Sequence, residues 1–250
     1  MTVWVLTLLV LLGAAAVAQP RSGYDDASAE TRAMQDDDAA NPGFLWVRQG
    51  EVLWSQPAGT AGKSCASCHG DAAVSMRGVA ALYPAYDPAL GRVLTLDQRI
   101  DDCRVRRQGA ASLQTDSDEA LGLSAYTALQ SRGMSMAVRN DGPARTMWET
   151  GRRLFSERIG QLNLSCAQCH DGLAGRRLAG SVIPQGHPNG YPEYRLEWQG
   201  MGSLARRVRN CMTGVRAEAF AADSPEMTAL ALYLAWRANG LTVETPAVRP

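Results

Sequence analysis

The chain has 250 residues, its 25 Lys+Arg are balanced by 25 Asp+Glu, and 46% of its residues are hydrophobic against 6% aromatic. A net charge of zero gives no footing for a nucleic-acid or anionic-membrane role, and the length allows one large domain or two small ones. Lys63 is the only lysine, which reads as codon bias rather than as a functional device.

The opening MTVWVLTLLVLLGAAAVAQP reads as a secretory signal peptide, residues 1–18. An apolar run over residues 3–12 leads to an A-x-A site, Ala16-Val17-Ala18, before Gln19. No Lys or Arg lies near Met1, so the terminal amine alone supplies the positive charge at that end. The run before Gly13 is too short to span a bilayer comfortably, and nothing later is long and apolar enough, so the mature chain is expected to have no membrane span. Residues 19–43 carry two arginines against six acids and few large apolar residues, the composition of a solvated acidic leader.

An internal repeat organises the rest. CASCH (65–69) and CAQCH (166–170) lie 101 residues apart, and Gly50 and Trp54 fall over Gly151 and Phe155 at the same offset. Tyr83-Pro84-Ala85-Tyr86 matches Tyr191-Pro192-Glu193-Tyr194 at 108, as LDQRIDDC (96–103) matches LARRVRNC (204–211). Glu119, Leu123 and Tyr126 match Glu226, Leu230 and Tyr233 at 107. The second copy has seven more residues between its CxxCH and its YPxY. Two copies of one domain are expected, at 44–138 and 139–250.

C-x-x-C-H is the attachment signature of c-type haem. The thiols of Cys65 and Cys68, and of Cys166 and Cys169, add to porphyrin vinyl groups, while His69 and His170 turn an imidazole onto iron. A zinc site needs two more clustered ligands, and a thioredoxin-like pair needs a strand–helix setting; neither explains the trailing His in both copies. Apolar residues at helical spacing predict helices over 44–54 and 146–156 before each motif and over 119–129 and 226–236 after it. Ser224-Pro225 starts the last of these, with Pro in the first helical position. The fold class expected is mainly α, two tandem cytochrome c-like domains, each with one covalently bound haem.

The opposite axial position remains. Two of the three histidines belong to CxxCH, and no Met recurs at matched positions, since Met76 has no partner and Met201 falls over Val93. Cysteine does recur: Cys103 and Cys211 each end L-x-x-R-[IV]-x-x-C. Leu204, Arg207, Val208 and Cys211 share one face if helical, as do Leu96, Arg99, Ile100 and Cys103. Thiolate ligation of both irons is the expectation; the alternatives are a Cys103–Cys211 disulfide, which export would permit, and ordinary buried cysteines.

With GSVIPQGHPNGYPEYRLEWQ followed by LARRVRNCMTGVRAE, the chain resembles the SoxA family of the SoxAX cytochromes over roughly 44–240. The resemblance implies a periplasmic L-cysteine S-thiosulfotransferase of thiosulfate oxidation. It implies a heterodimer with the monohaem subunit SoxX. It further implies oxidative joining of thiosulfate to a cysteine of the SoxYZ carrier protein, and a cytochrome c as electron acceptor. In that family the ligand cysteine of the catalytic haem can carry a persulfide; the role maps onto Cys211, and that of the substrate-binding arginine onto Arg207. Some members lack the first haem, whereas this chain keeps Cys65, Cys68, His69 and Cys103.

The residues favour the same chemistry. Thiosulfate is a small dianion, and Arg206, Arg207, Arg209 and Arg216 surround Cys211 with only Glu218 to answer them. Arginine grips sulfonate oxygens bidentately, and positive charge with iron keeps a thiol as thiolate. Arg99 holds the matching place before Cys103, so a propionate-pairing arginine repeated by duplication is the competing reading of Arg207. His187, in the lengthened stretch, reads either as a loop residue or as a group lining access to the second haem. A non-catalytic dihaem electron carrier and a thiosulfate dehydrogenase are the alternative functions.

Overall fold

The computed structural model describes residues 19–250; the expected signal peptide lies outside them. Each repeat is a helical domain. The first runs through α2 (Phe44–Ser55), α3 (Cys65–His69), α4 (Ala72–Ser75), the hairpin β1 (Ala85–Asp87) and β2 (Arg92–Leu94), α5 (Leu96–Cys103) and α6 (Asp118–Leu129), after a leader helix α1 (Ala29–Asp36). The second runs through α7 (Arg145–Ser156), α8 (Cys166–His170), a short hairpin β3 (Arg177–Leu178) and β4 (Ser181–Val182), the hairpin β5 (Glu193–Arg195) and β6 (Gly200–Gly202), α9 (Leu204–Gly214) and α10 (Pro225–Arg237), and ends in β7 (Ala247–Arg249). No helix of the described residues is long and apolar enough to cross a membrane.

The four helices expected around the CxxCH motifs all form, and within each repeat the first and last cross. The crossing needs a residue with no side chain. A Cβ on Gly50 would sit 2.0 Å from the Gly122 carbonyl oxygen, and one on Gly151 would sit 2.0 Å from that of Ala229. Tyr126 and Tyr233 flank the two crossings.

The repeats are interlocked. Val93, on β2 of the first repeat, is 4% exposed and joins a cluster with Trp148, Leu232 and Ala235 of the second. Its counterpart Met201, on β6, is 2% exposed and joins Val47, Leu121 and Ala125 of the first. Tyr194 adds an aromatic contact to Trp46, with ring centroids 6.1 Å apart. Each hairpin is thus anchored in the opposite repeat, and burial of such a side chain is worth about 1.5–3 kcal/mol. Because Thr95 and Ser203 cap α5 and α9 directly after these hairpins, each repeat helps to place the other's cysteine-bearing helix. Met201 has a packing role.

The acidic leader is not a solvated tail. Ser28 caps α1 by accepting from the Thr31 N–H at 3.2 Å, and α1 lies against β7. Gln35 Oε1 accepts from the Val248 N–H at 3.0 Å, and Asn41 Nδ2 donates to the Pro246 carbonyl at 2.8 Å. Arg249, nearly buried, pairs with Glu244. The leader's buried residues are Ser22, Ala27, Thr31, Asn41 and Gly43. They are small or polar, so hydropathy could not show a segment held by hydrogen bonds to a distant strand.

Candidate functional site

The two CxxCH segments are single helical turns, and a lone turn of this length is unstable in water. Capping holds them. Ser64 Oγ accepts from the Ser67 N–H at 3.0 Å while Ser67 Oγ accepts from the Ser64 N–H at 3.0 Å. Ser165 and Gln168 repeat the reciprocal bonds at 3.2 and 2.9 Å. Cys65, Cys68 and His69 stand at i, i+3 and i+4, as do Cys166, Cys169 and His170, so each set presents two thiols and an imidazole on one face.

The cysteine-bearing helices close over these faces. In α9, Leu204 and Val208 join Phe155, Leu230, Leu234 and Cys166 in one apolar cluster. Burial pushes the Cys166 thiol up to about 11, and Cys211 nearby adds to the rise. In the first repeat burial raises Cys65, with Cys103 adding, and Cys103 is raised by burial in turn. The structure therefore brings Cys211 near Cys166, and Cys103 near Cys65. All six cysteines are free, so no disulfide joins Cys103 to Cys211. No three His, Cys, Asp or Glu side chains among the described residues converge closely enough to hold a bare metal ion.

The two histidines differ. His170 Nδ1 lies 2.7 Å from the Pro184 carbonyl. A carbonyl only accepts, so Nδ1 carries the proton and the lone pair of Nε2 is left open to ligate. Burial lowers the His170 pKa, and the cations of Arg237 and Arg207 lower it further, against the Pro184 bond. Pro184 belongs to the stretch lengthened in the second copy, so the insertion supplies the backing for this imidazole. Gly186, at φ +74, rests against the ring, and a Cβ there would sit 3.0 Å from Nδ1. His69 is exposed, with its ring 5.8 Å from that of Trp54.

His187 lies beside the backing of His170. Its Nε2 faces Gln185 Oε1 at 3.0 Å. That oxygen also accepts from the Arg21 N–H at 2.7 Å, which ties the loop to the leader. Burial, with Arg237 and His170 nearby, pushes the His187 pKa down to about 4, so the ring is neutral at pH 7.

The arginines around Cys211 have separate tasks. Arg206 stacks on Trp198, 4.2 Å from guanidinium carbon to ring centroid. Arg207 NH1 donates to Glu197 Oε1 at 3.0 Å. Arg209 and Arg216 are exposed and form no ion pair among the described residues. Arg216 has a φ of +57 where the first copy places Gly109. Arg237, 14% exposed, pairs with Asp171 and lies 4.3 Å from the Phe155 ring centroid.

Pro184, Glu197 and Arg237 were not singled out from the sequence, although the repeat held a signal for them. Setting the copies side by side, Ala89 becomes Glu197 and Gln130 becomes Arg237. On the cysteine-bearing helix, Asp97, Asp101 and Asp102 become Ala205, Arg209 and Asn210, and Gln98 becomes Arg206. The first version is acidic; the second has three arginines and no acid. Only the second thiol is exposed on the surface of its helix, since Cys103 is half-buried. Together these make the second site the one suited to an anion.

The family model described as SoxA/TsdA, cytochrome c domain, matches residues 49–136 and 150–243. The chain is 43% identical over 91% of its length to the L-cysteine S-thiosulfotransferase subunit SoxA of Pseudaminobacter salicylatoxidans, covering 80% of that protein. It is 41% identical over 92% of its length to the SoxA subunit of Rhodovulum sulfidophilum, again covering 80%. The crystal structure of SoxXA from P. pantotrophus superposes with a TM-score of 0.89 at 38% identity, over 92% of this chain and 87% of that one.

Proposed function

The chain belongs to the SoxA/TsdA cytochrome c family and is an L-cysteine S-thiosulfotransferase subunit of the SoxA type; on that premise we propose that its second repeat is the catalytic one. Cys211 is the group that forms the bond to sulfur, and Arg207 holds the substrate. The observation that carries this is the conversion of an acidic cysteine-bearing helix with a half-buried thiol in the first repeat into an acid-free helix with an exposed thiol in the second.

Both sites fit a covalently attached haem c: two thiols and an imidazole on one capped turn, with a third thiol facing them. In the first, the buried Arg104 Nε and Gln108 Oε1 have no partner, and Gln108 lies against Cys65; polar groups of a bound cofactor would satisfy them. We assign Cys65, Cys68, His69 and Cys103 to one haem and Cys166, Cys169, His170 and Cys211 to a second. Haem bound at the second site supplies a one-electron acceptor next to the reacting sulfur.

Arg207 offers donors of fixed positive charge to the sulfonate oxygens of thiosulfate. The Cys211 thiolate and the sulfane sulfur join, and two electrons leave as the sulfur–sulfur bond forms. A thiolate of the SoxYZ carrier then attacks the sulfane sulfur, takes the S-sulfonate group and returns Cys211 as thiolate, so sulfur and charge balance in both steps. A persulfide on Cys211 would arise where water attacks the sulfonate sulfur of the joined intermediate, releasing sulfate and leaving the sulfane sulfur on the cysteine. SoxX is the proposed partner in a heterodimer, a cytochrome c the final acceptor, and the periplasm the compartment, reached through residues 1–18.

Product analysis tests this reading. The haem-loaded complex with thiosulfate, an oxidised cytochrome c and SoxYZ should place one S-sulfonated sulfur on the carrier cysteine and make little product without the carrier. Joined thiosulfate pairs formed equally well without SoxYZ would make it a thiosulfate dehydrogenase. No thiosulfate consumption under either condition would leave a plain electron carrier.

A further inference from the structure

We propose that Glu197 is a displaceable counter-ion of Arg207, a positioning residue that holds the guanidinium at the empty site and admits dianions in preference to monoanions. The inference rests on the reading above, in which Arg207 takes the sulfonate. Glu197 stands at the tip of the β5–β6 hairpin and is about half exposed, at 46%. One oxygen, Oε1, accepts from two arginines: Arg195 Nε at 2.9 Å and Arg207 NH1 at 3.0 Å.

The two arginines are not equivalent. Arg195 has a second acid, Glu193, at 3.0 Å, and both of these side chains are nearly buried, at 11% and 6%. That inner pair is fixed. Arg207 has Glu197 as its single anionic partner among the described residues, and its Nε and NH2 make no hydrogen bond to protein there. If Glu197 swings away it keeps Arg195, so neither its own charge nor the buried arginine is stranded. The first repeat lacks this freedom: Arg99 is held by Asp87 at 2.5 Å and by Asp102 at 3.7 Å, and the counterpart of Asp102 is Asn210.

The exchange has a charge threshold. A half-exposed carboxylate–guanidinium contact is weak and screened, so an incoming anion can replace it. A dianion gains twice the attraction of a monoanion at the same distance. A monoanion would only match what Glu197 already gives, whereas thiosulfate exceeds it. While the site is empty, Glu197 keeps Arg207 directed along the hairpin and keeps chloride from occupying it.

Steady-state kinetics of the haem-loaded complex with SoxYZ, comparing wild type, Glu197→Gln, Glu197→Ala and Arg207→Ala, test the proposal. Removing the competing charge should lower KM for thiosulfate by up to about fivefold in both Glu197 variants. The same variants should gain inhibition by chloride that the wild type lacks. A merely structural role would raise KM or lower kcat instead. Arg207→Ala should raise KM steeply. An unchanged or raised KM in both Glu197 variants, with the steep rise in Arg207→Ala, overturns the counter-ion proposal and leaves the substrate arginine standing. An unchanged KM in Arg207→Ala overturns both.

Discussion

Cys211→Ala is expected to lower transfer of thiosulfate sulfur to SoxYZ by at least about 10^3-fold, the scale on which removing a bond-forming residue acts. The haems should remain covalently attached, because Cys166, Cys169 and His170 are untouched. Cys103→Ala should be far milder. Its thiol is half-buried, and its helix carries three acids that would repel a dianion. Haem-stained gels with a carrier-mass assay on both variants measure attachment and turnover separately. Equal losses in the two would contradict the assignment of catalysis to the second repeat.

Gly151→Ala is expected to disrupt the second repeat. The added methyl would stand 2.0 Å from the Ala229 carbonyl oxygen, 2.6 Å from its carbon and 2.8 Å from Tyr233 Cβ. Two of those atoms are backbone, so no rotamer change relieves the clash and α7 must lift off α10. Overpacking of this kind typically costs about 1–3 kcal/mol, and rigid backbone on the far side places this variant at roughly 3 kcal/mol. A fall in the midpoint of thermal unfolding, with loss of haem retention in the second repeat, would report it. An unchanged midpoint would mean that the two helices do not meet here.

Much of this architecture is legible in the sequence because duplication displays it twice. The CxxCH turns, the flanking helices and the recurrence of cysteine at 103 and 211 all follow from register alone. The glycines at 50 and 151 stand out for the same reason. The exchange of hairpins is not legible: Val93 and Met201 look like ordinary strand residues, and nothing local says which repeat will bury them. The packing of the leader is not legible because Ser22, Gln35 and Asn41 are held by hydrogen bonds to residues more than 160 positions away. His187 illustrates a different limit. Its place in a lengthened loop was plain, yet the side of the site that the loop covers depends on Pro184 reaching His170. Glu197 and Arg237 could have been found by asking where the copies depart from one another, instead of where they agree.

The exchange of hairpins also bears on why the first repeat is kept. The hairpin leading into α9 is anchored by Met201 and Tyr194 against Val47, Leu121 and Trp46 of the first repeat. That repeat helps to place the Cys211 helix whatever its own part in electron transfer.

Low-temperature electron paramagnetic resonance of the oxidised complex, before and after Cys211→Met, tests the central claim most directly. The account predicts low-spin histidine–thiolate signals from both repeats, with the one from the second repeat alone lost in the variant. A spectrum in which Cys211→Met removes no thiolate signal would contradict it.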